Sequence, residues 1–375
     1  DEVRPRLSPL RAVLYALSLL YGMIIRLRTL GYRIGLLKTE HLPCRIISIG
    51  NITVGGTGKT PLTVMVAELV QRFGYKAAVI SRGYKGTAEK SGGIVSDGRS
   101  NLMDAETAGD EPYMLAQRLK QLQVPVLVGR NRYEVGRLAL REFHPDVIIL
   151  DDAFQHLKLA RDINLVLLDG KSPLGNFHLL PRGILREPQS ALKRANAFIL
   201  TRLEPADADA ISHLPANMEK IACDRPVFRA AHIPYLVDVF ESHGNDLNAG
   251  THSPLHGLEL LNGSKVFAFS GIAKNKDFQQ TLEGLLCNVK GFMEFPDHHR
   301  YTDGDIQSIV TAAFNAGSEF LVTTEKDHVR ITQWIPLPMK LVVIGVRLSF
   351  GRDSDGFHAY IKDRLARLEE QPPAP

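Results

Sequence analysis

Residues 44–62 read CRIISIGNITVGGTGKTPL, and this stretch decides the fold. Its first part is apolar and β-branched up to Gly50, a pattern that is typical of a buried strand. A glycine-rich loop follows, and Pro61 then stands where the first turn of a helix tolerates a missing N–H group. A strand, a glycine-rich loop and a helix in this order are the structural context of a phosphate-binding loop.

The residues of this loop have the chemistry that binding a nucleoside triphosphate requires. Glycines permit positive φ angles and bring bare backbone N–H groups close to an anion. Lys59 supplies a positive charge for the β- and γ-phosphates, and Thr60 supplies a hydroxyl group for Mg²⁺. The strict motif has glycine where this chain has Thr53, and an accidental GKT sequence in a glycine-rich turn is the alternative. The predicted nucleotide-binding residues of the loop are Gly55, Gly56, Thr57, Gly58, Lys59 and Thr60.

A second motif reads DVIILDD, from Asp146 to Asp152. Its apolar residues predict a buried strand of the parallel type, and two acidic residues follow at its carboxyl end. In phosphate-loop enzymes an aspartate at this position holds Mg²⁺ directly or through water. We therefore predict that Asp151 binds the metal, while Asp152 joins the metal shell or tunes Asp110. A strand that merely ends in a polar turn is the alternative.

Two more blocks contain candidate site residues. Arg82 follows a predicted strand, where a cation can lie beside bound phosphates, although a solvated arginine in a turn explains the residue nearly as well. Asp110 and Glu111 precede Pro112 at a predicted helix start, and helix capping is the simpler explanation for both acids. The alternative is that Asp110 receives the proton of a hydroxyl acceptor, because phosphoryl transfer needs a positioned acceptor more than a strong base. Glu111 is a further candidate ligand for the metal.

Composition sets limits on the function. The 375 residues are enough for two domains, or for one large α/β unit with an appendage. The net charge of +4 fits anionic substrates or an anionic membrane face but is too small to indicate nucleic-acid binding. The three cysteines are scattered without a CxxC pair, so no disulfide framework or zinc site is predicted and a reducing compartment is favoured.

The N-terminal region contains an uncharged apolar run from Ala12 to Ile25. A helix of this length spans about 21 Å, which is short of the roughly 30 Å hydrocarbon core of a bilayer. A buried core helix is one interpretation. The other, which we favour, is an interfacial helix held against anionic lipid by its apolar surface and by flanking basic residues. These basic residues are Arg4, Arg6, Arg11, Arg26, Arg28, Arg33 and Lys38.

Strands and helices alternate again after a change of character near Glu204, which predicts a second, smaller α/β unit with a parallel sheet. The overall prediction is an α/β protein with a P-loop NTPase-like parallel sheet core, a second α/β domain and an N-terminal membrane-associated helix. The predicted segments are 1–38 for the helix, 39–222 for the P-loop core, 223–262 for a linker, 263–370 for the C-terminal domain and 371–375 for a disordered tail.

Seven blocks in order along the chain resemble the tetraacyldisaccharide 4′-kinases, the lipid A 4′-kinases of Gram-negative bacteria. They are GNITVGGTGKTP, SRGY, GDEP, DDAFQH, LLPRGILREP, FPDHHRYT and TTEKD. In that family threonine is usual at the position of Thr53. The resemblance implies an ATP- and Mg²⁺-dependent enzyme that moves the γ-phosphate of ATP to the 4′-hydroxyl of a tetraacylated glucosamine disaccharide 1-phosphate. It also implies a place at the cytoplasmic face of the inner membrane.

The resemblance implies roles for further residues. His298 is expected to pair with Asp110 across a cleft between domains, and the TTEKD block is expected to contact the nucleotide or the other domain. Arg186, in the LREP block, is of a residue type that clamps phosphate bidentately, with surface ion pairing as the alternative. The expected catalytic residues are Asp110, His298, Asp152 and Lys59, and Arg82 and Arg186 are expected to bind the phosphates of the nucleotide.

Two other functions are consistent with parts of this pattern. A membrane-associated P-loop nucleotide switch or ATPase is the leading alternative, but no water-positioning residue or nucleotide-sensitive loop is recognisable in the sequence. A soluble kinase of a small metabolite would leave the apolar N-terminal run unexplained. The expected partners are the lipid substrate and the membrane surface, with no nucleic acid and no protein partner recognisable from the sequence.

Overall fold

The computed structural model describes residues 9–203, 222, 225–242 and 257–369. These residues contain twelve strands that hydrogen-bond into one sheet. The strands are β1 (Arg45–Asn51), β2 (Ala77–Ser81), β3 (Gly93–Ser96), β4 (Val126–Val128), β5 (Val147–Leu150), β6 (Ile163–Asp169), β7 (Ala197–Thr201), β8 (Val227–Phe240), β9 (Lys265–Ser270), β10 (Asn288–Glu294), β11 (Phe320–Thr324) and β12 (Leu341–Ser349).

The order of strands across the sheet is β10-β9-β11-β12-β8-β7-β6-β1-β5-β2-β4-β3. Neighbouring strands run parallel except in the β3–β4 and β8–β12 pairs. β1 lies between β5 and β6, so the strand order reverses at β1 and later strands extend the sheet on both sides. Ligands of open parallel sheets bind outside the carboxyl ends of the strands at such a point, and the glycine-rich loop leaves β1 there.

The described part of the chain contains nine α-helices. They are α1 (Pro9–Arg33), α2 (Lys59–Arg72), α3 (Ala105–Ala108), α4 (Asp110–Leu119), α5 (Arg132–Phe143), α6 (Asn275–Gly284), α7 (Asp303–Asn315), α8 (Glu325–Ile331) and α9 (Ser354–Glu369). The helix after the glycine-rich loop buries Leu62, Val66 and Val70 against the core around β1. The predicted fold class, a P-loop α/β sheet with a second α/β part, is confirmed.

Strand β8 lies inside the segment that the sequence analysis assigns to a linker. Its first residues, from Val227 to Ala230, pair in parallel with β7, and residues 231–240 pair antiparallel with β12. The strand therefore joins the two halves of the chain in one continuous sheet. The division at residues 223–262 stays a prediction, and the predicted tail at 371–375 lies outside the described residues.

Helix α1 is longer than the apolar run that predicted it. Its 25 residues correspond to about 37 Å, and it is long and apolar enough to cross a membrane. Only Ser18, Gly22 and Gly31 are buried, so the interpretation as a buried core helix is wrong. The helix rests on the rest of the protein along one narrow face, where the hydroxyl groups of Ser18 and Tyr21 donate to the carbonyl oxygens of Leu179 (2.9 Å) and Arg186 (2.8 Å).

Candidate active site

A cleft of about 1220 Å³ opens between the two halves of the sheet. Its walls come from the glycine-rich loop, the ends of β2 and β5, the start of α4, the start of α8 and one face of α1. The loop that follows β10 adds His298. The cleft thus brings together residues that are as far apart in sequence as Tyr21 and Val346.

The glycine-rich loop needs glycine at particular positions. Gly58 has φ 88° and immediately precedes the first residue of α2, Lys59. At Gly50 a Cβ atom would lie 2.7 Å from the backbone nitrogen of Phe154, so any side chain there would push the end of β1 away from the DDAFQH segment. The loop is held from below by Asn51, whose Nδ2 donates to Thr57 Oγ1 (3.0 Å). The backbone is therefore set for the close approach of an anion.

Asp151 is buried at the carboxyl end of β5 and has two hydroxyl donors. Thr63 Oγ1 donates to one of its carboxylate oxygens (3.0 Å), and Ser81 Oγ donates to the other (3.2 Å). Burial raises the pKa of Asp151, and the negative charges of Glu111 and Asp152 raise it further, to about 6. A nearby cation would offset both effects, so this carboxylate fits a metal ligand.

The described residues contain no group of three or more His, Cys, Asp and Glu side chains that could hold a metal. A Mg²⁺ site of the kinase type does not require such a group, since one or two protein ligands act together with water and substrate phosphates. Thr60, in the first turn of α2, and Asp151 are the residues that fit such a site.

Asp152 has different neighbours from Asp151. Arg186 Nη1 donates to both of its carboxylate oxygens (2.9 and 3.0 Å), and Lys59 Nζ lies 3.8 Å away. Burial raises the pKa of Asp152, but the positive charges of Lys59 and Arg186 outweigh it and lower the pKa below its usual value. Arg186 therefore reaches the site, where it binds a carboxylate in this structure. None of the described contacts of Asp152 is to Asp110, so its predicted assistance to Asp110 has no direct contact to support it.

Asp110 is the first residue of α4, and its Oδ2 atom meets two side chains from the other half of the chain. Arg330 Nε donates to it at 2.7 Å, and His298 Nδ1 lies 3.2 Å from it. Burial raises the pKa of Asp110, but the hydrogen bond with His298 and the charge of Arg330 outweigh it and lower the pKa to about 2. The carboxylate is therefore ionised at neutral pH. The pairing of Asp110 with His298 across the cleft is present.

The TTEKD block provides further contacts between the halves. Lys326 Nζ lies 3.3 Å from Glu111 Oε1 and 3.2 Å from His298 Nε2. Glu325, one residue earlier, accepts two hydrogen bonds from Arg118 Nε (2.7 and 3.0 Å). Helix α8 is thus the element that docks on α4. Glu111 has a lysine partner in this arrangement, and its role as a metal ligand stays a prediction.

The family model described as tetraacyldisaccharide-1-P 4′-kinase matches residues 10–366 of the chain. The chain belongs to this family. It is 41% identical over 355 residues to the tetraacyldisaccharide 4′-kinase of Desulfatibacillum aliphaticivorans, and the match covers 94% of this chain and 92% of that relative. It is 42% identical to the tetraacyldisaccharide 4′-kinase of Pelobacter propionicus over 86% of this chain and 83% of that relative. The family resemblance predicted from the seven blocks is confirmed.

A solved structure of the same family has a similar fold. The crystal structure of LpxK from Aquifex aeolicus in complex with ATP superposes with a TM-score of 0.69 at 32% sequence identity. The superposition covers 96% of this chain and 99% of that chain, so both halves of the sheet take part in the likeness.

Two further arginines of this member of the tetraacyldisaccharide-1-P 4′-kinase family are Arg82, in the wall of the cleft, and Arg330, beside Asp110. Arg82 lines the cleft and its Nε donates to Glu89 (2.7 Å), while its contact with phosphate stays a prediction. Arg330 was not singled out by the sequence analysis, although it makes the shortest contact to Asp110. The available signal was its spacing from Lys326, because residues four apart on a helix lie on the same face.

Proposed function

We propose that this chain is an ATP-dependent lipid kinase that transfers the γ-phosphate of ATP to the 4′-hydroxyl of a tetraacyldisaccharide 1-phosphate, a step of lipid A synthesis. Membership of the tetraacyldisaccharide-1-P 4′-kinase family over residues 10–366 supports the activity, and the ATP complex of the Aquifex aeolicus relative supports the phosphate donor. The observation that carries the proposal is that one cleft is lined by both the glycine-rich loop and His298, and that His298 Nδ1 lies 3.2 Å from Asp110 Oδ2.

The glycine-rich loop and Lys59 bind the phosphates of ATP in this mechanism. Backbone N–H groups of residues 55–60 and the dipole of α2 hold the β- and γ-phosphates, and the ammonium group of Lys59 neutralises part of their charge. Thr60 and Asp151 would hold Mg²⁺, which when bound would neutralise further charge on the phosphate oxygens. Arg186 lies next to this charge and can exchange its Asp152 partner for a phosphate oxygen.

Asp110 receives the proton of the sugar hydroxyl as that oxygen bonds to the γ-phosphorus. A pKa of about 2 makes Asp110 a weak base. A loose transition state tolerates this weakness, because the hydroxyl becomes strongly acidic only once its oxygen bonds to phosphorus. His298 and Arg330 orient the carboxylate. The catalytic effect therefore comes from the position of the carboxylate and not from its basicity. Closure of the two halves of the sheet on the substrates would exclude water as a competing acceptor.

Helix α1 holds the enzyme at the membrane where its lipid substrate resides. Large apolar side chains are exposed along its length, from Leu10 (68% exposed) to Leu30 (48% exposed). Tyr21, Ile25 and Arg28 of the same helix line the cleft, so a lipid could keep its acyl chains beside α1 while its sugar enters the site. This geometry supports an interfacial helix with its apolar surface in the bilayer. The requirement for ATP favours the cytoplasmic face.

The experiment that tests the function follows the label of γ-labelled ATP. Purified protein is incubated with Mg²⁺ and labelled ATP, with and without the disaccharide lipid in detergent. We expect label on the lipid, with loss of turnover but retained ATP binding in Asp110→Asn and loss of ATP binding in Lys59→Ala. Label that appears only as free phosphate, at a rate unaffected by the lipid, would replace this function with the nucleotide switch or ATPase.

A truncation separates the lipid kinase from a soluble kinase of a small metabolite. Removal of residues 1–38 deletes α1 and the contacts of Ser18 and Tyr21 with the core. We expect the truncated protein to lose activity on the tetraacylated lipid in vesicles and to keep part of its activity on an acceptor with short acyl chains. Equal activity of the two proteins on vesicle-bound lipid would remove α1 from the proposal.

A further inference from the structure

The imidazole ring of His298 lies between two groups that constrain its protons. Its Nδ1 atom is 3.2 Å from Asp110 Oδ2, and its Nε2 atom is 3.2 Å from Lys326 Nζ. The side chain is only 16% exposed, so these protein groups and not bulk water are its main hydrogen-bond partners.

The chemistry of the two partners decides which nitrogen carries the proton. A lysine ammonium group can only donate hydrogen bonds, and an ionised carboxylate can only accept them. Nε2 must therefore accept from Lys326, and Nδ1 must donate to Asp110. An imidazolium ion would direct an Nε2–H group at the ammonium group of Lys326.

The opposite tautomer leaves contacts unsatisfied. With the proton on Nε2, two donors would face each other at 3.2 Å, and the nearest carboxylate, Asp297 Oδ2, is 3.9 Å away. Nδ1 could then accept from Arg330 Nη2 (3.2 Å), but Asp110 would lose its hydrogen bond from the histidine. In the Nδ1–H tautomer Arg330 Nη2 faces the Nδ1–H group at 3.2 Å, but this tautomer satisfies both the carboxylate and the lysine.

Lys326 is itself fixed in place. Glu111 Oε1 lies 3.3 Å and Asp297 Oδ1 lies 3.6 Å from its Nζ atom, so two acids hold the ammonium group against the ring. The ring also packs edge-on against Tyr84, with 5.7 Å between the ring centroids. The charged groups that face His298 are Asp110 on α4, Lys326 and Arg330 on α8, and Asp297 on its own loop, while Glu111 on α4 pairs with Lys326.

We infer that Lys326 is a positioning residue for phosphoryl transfer, because it fixes His298 as a neutral imidazole protonated on Nδ1 alone and directed at Asp110. The inference rests on the proposed function only in giving Asp110 the role of proton acceptor. The sugar O–H bond breaks as the oxygen bonds to the γ-phosphorus, the bond from phosphorus to ADP breaks, and the proton goes to Asp110. His298 cannot take this proton onward while Lys326 occupies its Nε2 atom, so the proton stays on Asp110 until the product leaves.

The protonation of the ring can be observed without any turnover. The measurement is an ¹⁵N NMR spectrum of the full chain with labelled histidine, in detergent at neutral pH, with the His298 signals identified by their absence in His298→Gln. We expect Nδ1 to carry the proton and Nε2 to be unprotonated, and we expect Lys326→Met to lose this single form. A wild-type ring protonated on Nε2, or on both nitrogens, would overturn the inference even if the protein proves to phosphorylate the lipid.

Kinetics separate positioning from a general structural effect. We expect Lys326→Met to lower kcat by roughly 10-fold or more with little change in the KM for ATP, because the orientation of the acceptor is lost and the phosphate site is not touched. Lys326→Arg, which is also a donor without an acceptor, should retain most of the turnover and the wild-type tautomer. Lys340→Met removes an ion pair with Glu241 outside the cleft and serves as the control.

The outcomes of this series are distinct. Wild-type kcat in a folded Lys326→Met variant, or equal loss of kcat in Lys326→Arg and Lys326→Met, would contradict the positioning role. If Lys326→Met does not fold, Lys326→Ala, which also leaves no donor for Nε2, takes its place in both measurements. Failure of the wild-type protein to phosphorylate the lipid would overturn the proposed function, while the NMR spectrum would still decide the tautomer.

Discussion

Arg330 Nε lies 2.7 Å from Asp110 Oδ2, and this contact joins the last turns of α8 to the first residue of α4. Two further hydrogen bonds hold the guanidinium group in place, since its Nη1 atom donates to the carbonyl oxygen of Gly271 (3.0 Å) and to Asp327 (3.1 Å). A rigid positive charge therefore stands against the carboxylate that we propose as proton acceptor. The two halves of the chain must be docked for this charge to act.

The first prediction concerns the pH dependence of Arg330→Gln. A base is active when deprotonated, so kcat/KM falls as the pH drops through the pKa of the base. Because the pKa of Asp110 is about 2, the fall of kcat/KM in the wild-type protein lies below the pH range of usual assays. An adjacent arginine lowers the pKa of an aspartate by about 1–3 units. Its removal should raise the pKa of Asp110 and move the acid-side fall of kcat/KM to higher pH.

The measurement is the pH profile of kcat/KM for the wild-type protein, Arg330→Gln and Arg330→Lys. Arg330→Lys keeps a positive charge and should shift the profile less than Arg330→Gln. If kcat/KM falls at the same acidic pH in the wild-type protein and in Arg330→Gln, Asp110 does not control the rate as the base.

The second prediction concerns the ion pair between Arg118 and Glu325. Their side chains are 11% and 7% exposed, and the pair joins α4 to α8 in the wall of the cleft. Glu325→Ala leaves the guanidinium group of Arg118 buried without its carboxylate, which typically costs about 3–5 kcal/mol. We expect a loss of this size in the free energy of unfolding measured in urea.

The matched control is the exposed pair of Arg141 with Glu142, whose side chains are 72% and 41% exposed. Glu142→Ala should change the free energy of unfolding by less than about 1 kcal/mol. The double variant Arg118→Met with Glu325→Leu should recover much of the loss, because no unpaired charge remains. Similar small losses in Glu325→Ala and Glu142→Ala would show that the buried pair does not hold the halves together.

The parts of the site that the sequence predicts are those that local motifs form. The glycine-rich loop and the DVIILDD strand are contiguous segments, and the residue types in each predict its local geometry. The structure has both where they were expected. Asp110 could be selected because Pro112 marks a helix start next to it, and α4 does begin at Asp110.

Contacts between segments that are distant in the sequence could not be predicted from local sequence patterns. Arg330 reaches Asp110 only because α8 docks on α4, and no spacing along the chain specifies that docking. The path of β8 was missed for a similar reason. Its two ends pair with β7 and β12, whose neighbours are set by the whole sheet, so its fourteen residues read as separate strand-like pieces of a linker.

The third prediction compares two glycines with the same backbone conformation. Gly58 and Gly74 have φ angles of 88° and 90°. A Cβ atom at Gly58 would lie 2.7 Å from His232 Nε2, whereas a Cβ atom at Gly74 has no neighbour within 4 Å. Alanine should therefore cost both sites roughly 1–2 kcal/mol of backbone strain, but only Gly58→Ala should displace the phosphate-binding loop.

The measurement is calorimetric titration with ATP and Mg²⁺, together with urea unfolding of both variants. We expect ATP affinity to fall by about 10-fold or more in Gly58→Ala and to stay near the wild-type value in Gly74→Ala, because close backbone approach is what holds the phosphates. Equal ATP affinity in the two variants would remove the loop around Gly58 from the nucleotide site.

The last prediction concerns the exposed surface of α1. Leu10, Leu20 and Leu27 are 68%, 50% and 60% exposed, so they contribute little to packing within the protein. Burying half of a leucine side chain in a bilayer is worth about 1 kcal/mol, and the three together are worth about 3 kcal/mol, or about a 100-fold change in partitioning. The triple serine variant should bind vesicles of anionic lipid about 100-fold more weakly than the wild-type protein.

Stability and a distant leucine provide the controls for this effect. The triple variant should unfold at nearly the wild-type urea concentration, because the replaced side chains do not belong to the core. Leu286, which is 67% exposed on the C-terminal half, is the matched site outside α1, and Leu286→Ser should leave vesicle binding unchanged. Unchanged vesicle binding in the triple variant would mean that α1 does not enter the bilayer. Its exposed apolar face would then need a different partner, since water alone does not stabilise so large an apolar surface.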